Sequence, residues 1–92
     1  MEEKRVRITI SGIVQGVGFR FSALQEARSL AIKGWVRNRA DGRVEVIAEG
    51  DPGGVDAMID WCRQGPAMAR VQDAEVEPLE FSLGVGEFSI KH

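Results

Sequence analysis

The first third of the chain alternates between apolar and polar residues and then changes to a helical period. Residues 4–11 carry an apolar side chain at every second position, which is the pattern of a half-buried strand. Glycine-rich residues 12–18 interrupt this alternation. Residues 20–32 then repeat apolar side chains at helical spacing, which predicts a first helix. The apolar positions are Val6, Ile8 and Ile10 in the strand and Ala23, Leu24, Ala27 and Ala31 in the helix.

A β-hairpin is predicted in the middle of the chain. Residues 34–38 alternate as a second strand, and Asn38 is its last residue, next to the turn. The pair Asp41 and Gly42 is a strong hairpin-turn signal. Residues 43–49 alternate again, which predicts a third strand antiparallel to the second.

The last part of the chain predicts a helix, a strand and a short terminal strand. Asp51 followed by Pro52 is typical of a helix start, because aspartate caps the first amides and proline suits the first helical position. Residues 70–77 form a strand whose alternation changes phase, which predicts a bulge or a late strand start. Phe88 and Ile90 predict a short final edge strand.

The predicted order of elements is β-α-β-β-α-β with an extra short C-terminal strand. This order predicts an α+β, ferredoxin-like two-layer sandwich, with an antiparallel sheet and both helices on one face. The chain has 92 residues, of which 43% are hydrophobic and 28% are charged, as in ordinary globular domains. We therefore expect a single domain over residues 1–92.

Composition and charge exclude several classes of function. The net charge of −2 argues against general nucleic-acid binding. No apolar run approaches the roughly 20 residues of a membrane span. The polar residues 1–5 have no apolar signal-peptide segment behind them. We therefore expect a cytoplasmic protein with no nucleic-acid or membrane partner, and a monomer is the default for so small a chain.

The charge is unevenly distributed along the sequence. Residues 1–45 hold nine Lys or Arg and five Asp or Glu, a net charge of +4, whereas residues 46–92 hold three and nine, a net charge of −6. The glycine-rich stretch lies in the basic half, as a site for an anion would. The acidic residues are expected along solvent-facing surfaces, and they form no evident catalytic pair.

Residues 12–20 are the strongest candidate for a binding site, because they contain three glycines within seven residues and end in Arg20. Glycine lets backbone amides turn toward an anion, and a helix N-terminus adds its positive dipole end. The stretch predicts a cradle for a phosphate or carboxylate, and the alternative is a strand-to-helix turn that simply requires glycine. It is not a Walker A loop, since no Gly-Lys-Ser/Thr follows, and Phe21 replaces the third glycine of a dinucleotide fingerprint.

Few other side chains offer chemistry. Asn38 is either a turn asparagine bonded to its own backbone or an amide that holds a water or a substrate oxygen. Cys62 is expected in the core rather than as a nucleophile, and no metal-ligand cluster surrounds it. His92, the single histidine, is expected to be an untethered terminus, and Trp35 and Trp61 are expected to be packing residues.

Two motifs carry a resemblance to a known family. They are Gly12-x-Val14-Gln15-Gly16-Val17-Gly18-Phe19-Arg20, and Gly34-Trp35-Val36-Arg37-Asn38 followed by Asp41-Gly42-x-Val44-Glu45. In these motifs the chain resembles the acylphosphatases, and the resemblance covers essentially its whole length. It implies the same ferredoxin-like fold. It also implies hydrolysis of a small-molecule acyl phosphate, a carboxyl–phosphate mixed anhydride, to a carboxylate and inorganic phosphate.

The resemblance also implies roles for individual residues. The arginine that closes the first motif binds the phosphoryl group and matches Arg20, and the asparagine that ends the second motif orients the attacking water and matches Asn38. No metal ion and no cofactor are expected, because a carboxylate leaving group with a pKa of about 4 needs no general acid. The loop whose backbone amides would complete the phosphate site consists of Gln15, Gly16, Val17, Gly18, Phe19 and Arg20.

One departure from the family and two other functions belong beside this interpretation. Ala31 stands where the family commonly has a glycine that ends the first helix, so we expect the helix to end a residue or two later. An accessory module that binds an anion without turnover stays open, as in the acylphosphatase-like domain of hydrogenase maturation proteins. An RNA-binding module has the same element order, but it uses exposed aromatics that residues 4–11 and 43–50 lack.

Overall fold

The part of the chain that the structure describes forms a five-stranded sheet and two helices. The structure is a computed structural model that describes residues 2–92, so Met1 of the expected 1–92 domain lies outside the described residues. The elements in chain order are β1 (Lys4–Ile13), α1 (Phe19–Ser29), β2 (Lys33–Asn38), β3 (Val44–Gly50), α2 (Pro52–Gln64), β4 (Arg70–Pro78) and β5 (Ser89–Ile90).

The sheet has the strand order β4-β1-β3-β2-β5, which confirms the predicted ferredoxin-like fold. β1 pairs antiparallel with β3 and β4, and β2 pairs antiparallel with β3. β5 pairs with β2 in the parallel direction, so the five-stranded sheet is mixed, with only its first four strands antiparallel. This parallel edge matters below, because it carries the C-terminal residues along β2 toward Asn38.

The core lies between one face of the sheet and the two helices. The alternating apolar residues of β1 are at most 1% exposed, as the pattern predicts, and they belong to one cluster with the buried residues of both helices. Asp51 caps α2 as expected, because its side chain accepts a hydrogen bond from the Gly53 amide at 3.1 Å. Neither helix within residues 2–92 combines the length and hydropathy needed to cross a membrane.

A bulge explains the phase change in the last long strand. Ser11 pairs with Asp73 and Gly12 pairs with Val71, so Gln72 is the extra residue and the predicted bulge is confirmed. β1 also continues through Gly12 to Ile13, two residues beyond the predicted end of the strand. It can do so because β4 crosses close to Gly12, where a Cβ would overlap the Arg70 carbonyl.

The first helix ends earlier than expected. It was predicted over residues 20–32, but it spans Phe19–Ser29, and Ala31 adopts φ 55° in the left-handed region. The Ala31 amide donates to Arg28 O at 3.1 Å and the Ile32 amide donates to Ala27 O at 2.9 Å, which is the Schellman pattern. The turn brings Ile32 into the core at 3% exposure, and this burial holds alanine at a position that favours glycine.

The expectation that all acidic residues face solvent is wrong for two of them. Glu45 and Glu49 on β3 are 5% and 6% exposed. Glu45 Oε1 lies 2.7 Å from Arg37 Nε, and Glu49 Oε1 lies 3.2 Å from Arg5 Nε. Neighbouring strands supply these arginines across the sheet face opposite the helices, so alternation alone misses the burial.

Candidate functional site

A cavity of about 210 Å³ opens where the β1–α1 loop meets the end of β2. It brings together Arg20 and Asn38, the two side chains expected to act on the substrate, from two separate motifs. The lining residues are Val14, Gly16, Gly18, Phe19, Arg20, Phe21, Asn38, Ile90 and His92.

The β1–α1 loop presents an uncapped helix N-terminus to this cavity. Gly16 and Gly18 have φ angles of 74° and 77°, which explains why both positions are glycine. Gly18 is the N-cap of α1, yet no side chain caps the helix and no acidic residue lies in its first turn. Among residues 2–92, no group accepts a hydrogen bond from the backbone amides of residues 15–20. Free amides at the positive end of a helix dipole form a site suited to an anion.

Arg20 adds a full positive charge to the same helix end. It is the second residue of α1, is half-buried and lines the cavity. No carboxylate of the described chain lies within ion-pair distance of it. A cation in the first turn of a helix is electrostatically unfavourable, so this placement favours a bound anion over a purely structural role.

The neighbouring arginines of the β2–β3 hairpin are neutralised instead. Arg39 Nη2 lies 2.9 Å from Asp41 Oδ2, and Arg37 pairs with buried Glu45. The hydrogen bond that the Arg43 amide donates at 3.1 Å lowers the pKa of the Asp41 carboxyl, and the charges of Arg39 and Arg43 act in the same direction. Among the residues that the structure describes, each of the three hairpin arginines therefore lies within ion-pair distance of a carboxylate, whereas Arg20 does not.

Asn38 has a buried side-chain oxygen without a hydrogen-bond partner within residues 2–92, and it lies beside the β1–α1 loop. It ends β2 opposite Val44, and its Oδ1 is buried with no hydrogen-bond partner among the described residues. The oxygen therefore makes no hydrogen bond to its own backbone. The alternative interpretation of Asn38, as a turn asparagine, required such a bond. A buried acceptor without a partner is costly, and a water molecule or a substrate group that donates to it removes the cost.

Gln15 connects the loop to the hairpin. Its Nε2 donates to Arg39 O at 2.8 Å and to Arg43 O at 2.9 Å, so its side chain does not line the cavity. Val17 also lies outside the lining, because its side chain packs against the core. The expected loop of residues 15–20 thus contributes four residues to the lining. The hydrogen bonds of Gln15 hold this loop close to the strand that carries Asn38.

Phe21, Ile90 and His92 also line the cavity, and no sequence pattern predicted them there. Phe21 follows Arg20 in α1 and is 60% exposed. His92, expected as an untethered terminus, lines the cavity together with Ile90. Ile90 and His92 reach the cavity because β5 pairs in parallel with β2. A strand of only two residues does not reveal its direction in the sequence, so this pairing could not be predicted.

The remaining candidates are structural. Burial raises the pKa of the Cys62 thiol to about 12, so this core residue is not a nucleophile at neutral pH. Trp61 packs edge-on against Phe19, with ring centroids 5.2 Å apart, as expected of a packing residue. Over residues 2–92, no three His, Cys, Asp or Glu side chains come close enough together to hold a metal ion.

The chain matches known proteins over nearly its whole length. The family model described as Acylphosphatase matches residues 6–90. An acylphosphatase of Anaeromyxobacter sp. strain Fw109-5 is 50% identical over 91 residues, covering 99% of this chain and 98% of the relative. The crystal structure of acylphosphatase from Bacillus subtilis matches with a TM-score of 0.92 at 37% identity, covering 97% of this chain and 99% of that one. Full-length HypF in its phosphate- and nucleotide-bound form matches with a TM-score of 0.90 at 28% identity, covering 99% of this chain and 12% of HypF.

Proposed function

Because this chain belongs to the acylphosphatase family and is an enzyme that hydrolyses the carboxyl–phosphate bond of acyl phosphates, we propose which groups carry the reaction. Arg20 and the backbone amides of residues 15–20 hold the phosphoryl group, and Asn38 orients the attacking water. The observation that carries this proposal is the pairing in one cavity of an uncompensated cation on a free helix N-terminus with an unpartnered buried acceptor.

The phosphoryl group is bound by positive partial and full charges. The free amides of the loop donate hydrogen bonds to the phosphoryl oxygens, and the guanidinium of Arg20 adds two charge-assisted bonds from its planar fork. Phosphoryl transfer spreads negative charge over the equatorial oxygens in the transition state, so these donors bind the transition state more tightly than the substrate.

The water is held on the strand side of the cavity. Asn38 Oδ1 accepts a hydrogen bond from the water and so directs an oxygen lone pair at phosphorus. The attack breaks the bond between phosphorus and the bridging oxygen, and the carboxylate leaves with the bonding electrons. Since a carboxylate is a good leaving group, it needs no protonation, and the proton of the water passes to a phosphoryl oxygen of the substrate.

This mechanism requires no metal ion and no cofactor. We propose that the enzyme acts in this way as a single-domain monomer over residues 1–92 in the cytoplasm. The support is a core complete within one chain, since the buried side chains of the sheet and of both helices form a single cluster. Sedimentation of the purified protein at a monomer mass of 10.1 kDa would agree with this part of the proposal.

The test is hydrolysis of benzoyl phosphate in excess EDTA by the wild type and by Asn38→Ala. The variant should lower kcat about 100-fold with little change in KM, because it removes water positioning and leaves phosphoryl binding intact. Gln25→Ala is the matched control, since it removes an exposed side-chain amide from α1 outside the cavity. A kcat for Asn38→Ala equal to that of the control would contradict the role of Asn38.

A further inference from the structure

We propose that His92 is a second phosphoryl-binding residue, whose imidazole ring donates a hydrogen bond to the anion that Arg20 holds. The inference rests on the proposed function, because it takes the cavity of Arg20 and Asn38 as the phosphoryl site. It adds a contact that the proposed function lacks, because it extends the phosphoryl site to a residue just beyond β5.

The pairing of β5 with β2 places His92 beside Asn38. Val36 pairs in parallel with Ile90, and the bond that the Lys91 amide donates to Val36 O at 2.8 Å belongs to this pair. Two residues further along in the same direction, the two segments reach Asn38 and His92, and both residues line the cavity. His92 shares the face of Ile90, two residues earlier, and both side chains line the cavity.

The neighbouring cation turns to the other face. Lys91 Nζ lies 4.6 Å from the centroid of the Trp35 ring, on the side of the sheet away from the cavity. Of the described residues, the only charged or titratable side chains that line the cavity are Arg20 from α1 and His92. β2 contributes the neutral Asn38, β5 contributes Ile90, and the loop contributes no charged side chain.

An imidazole ring at this position offers a hydrogen-bond donor to a bound phosphoryl group. Imidazole carries at least one N–H donor whatever its charge. A hydrogen bond to a charged phosphoryl oxygen corresponds to about a tenfold change in affinity. Replacement of His92 by alanine should remove this contribution.

Competitive inhibition by inorganic phosphate tests the inference. We compare the inhibition constant of phosphate and the KM of benzoyl phosphate in the wild type and in His92→Ala under the same conditions. We expect the variant to raise the inhibition constant of phosphate about tenfold. An inhibition constant within twofold of the wild-type value overturns the proposal.

Two further measurements separate this proposal from its alternatives. Lys91→Ala truncates the neighbouring side chain, which faces Trp35, so a tenfold rise in its inhibition constant would show a general effect of this segment and overturn the role of His92. The chain has a single histidine, so its Cε1–H proton gives one assignable NMR signal. Phosphate should shift that signal in the wild type and not in Arg20→Gln, even if benzoyl phosphate is not hydrolysed. An unshifted signal in the wild type overturns the inference, whereas absent hydrolysis overturns only the proposed function.

Discussion

Replacing Arg20 with glutamine should lower activity and raise stability at the same time. Arg20 occupies the first turn of α1 without an ion-pair partner in the described chain, where its charge opposes the helix dipole. Glutamine keeps much of the aliphatic stem and a similar helix propensity, and it removes the charge. The substitution thus distinguishes between two roles of Arg20, binding an anion and stabilising the fold.

The two effects have different sizes. Loss of a guanidinium that stabilises phosphoryl charge should lower kcat/KM about 1,000-fold, or ~4 kcal/mol of transition-state stabilisation. Relief of the unfavourable position on the helix dipole should raise the free energy of unfolding by about 0.5 kcal/mol in the absence of anions. For a domain of this size that corresponds to a rise in Tm of about 2 to 4 °C.

The assays are benzoyl phosphate hydrolysis and thermal unfolding, each with and without inorganic phosphate. Phosphate at about 100 times its Kd should stabilise the wild type by about 2.7 kcal/mol, and it should stabilise Arg20→Gln far less. Arg28→Gln is the matched control at the other end of α1. Arg28 is in the last turn, where its charge favours the dipole, and it lies 3.3 Å from Glu87 Oε1. This control should retain activity and lose stability.

Either of two results would refute the reasoning. A fall in the Tm of phosphate-free Arg20→Gln would mean that the charge of Arg20 stabilises the fold, and that its interaction with the helix dipole is not unfavourable. An undiminished rise in Tm on adding phosphate would mean that the anion binds elsewhere.

Three other substitutions or reagents test the geometry. Ala31→Gly should raise the free energy of unfolding by about 1 kcal/mol in urea denaturation, because φ 55° favours glycine; a loss of stability would contradict the strain. Gln15→Ala should lower the free energy of unfolding by about 1 to 3 kcal/mol and also reduce kcat, since it removes the bonds to the Arg39 and Arg43 carbonyls; unchanged kcat at lower stability would limit Gln15 to folding. The Cys62 thiol should react with a disulfide reagent at pH 8 only on unfolding. Since burial raises its pKa from 9.0 to about 12, the free energy of unfolding should fall as the pH rises from about 9 toward 12, where only the unfolded thiol ionises.

Local signals in the sequence were sufficient for most of the elements. The cap and proline at the start of α2, the hairpin turn and the phase change in β4 each depend on contacts within a few residues or on a strict two-residue alternation. The bulge at Gln72 could be anticipated because one extra residue reverses the faces of all that follow. These signals do not require knowledge of which elements become neighbours.

The errors all arise from contacts between distant parts of the chain. The end of α1 depends on the burial of Ile32, which selects a left-handed Ala31 over another helical residue. Glu45 is buried because Arg37 and Arg7 reach it from two flanking strands. The Nε of Arg7 lies 2.9 Å from Glu45 Oε2 without a hydrogen-bond geometry, so this contact is an ion pair alone. Alternation identifies a face of the sheet but not what covers it.

The sequence by itself determined the local half of the site: a glycine-rich loop that opens a helix and ends in Arg20. Its conformation follows from φ preferences and helix-end amides, which are properties of neighbouring residues. Only the tertiary structure decided what faces that loop. The hydrogen bonds of Gln15 span 24 and 28 residues, and the parallel pairing of β5 brings His92 to Asn38 from the other end of the chain. Such contacts form only when the whole core is assembled, because the entropy lost in closing long loops is offset by burial elsewhere.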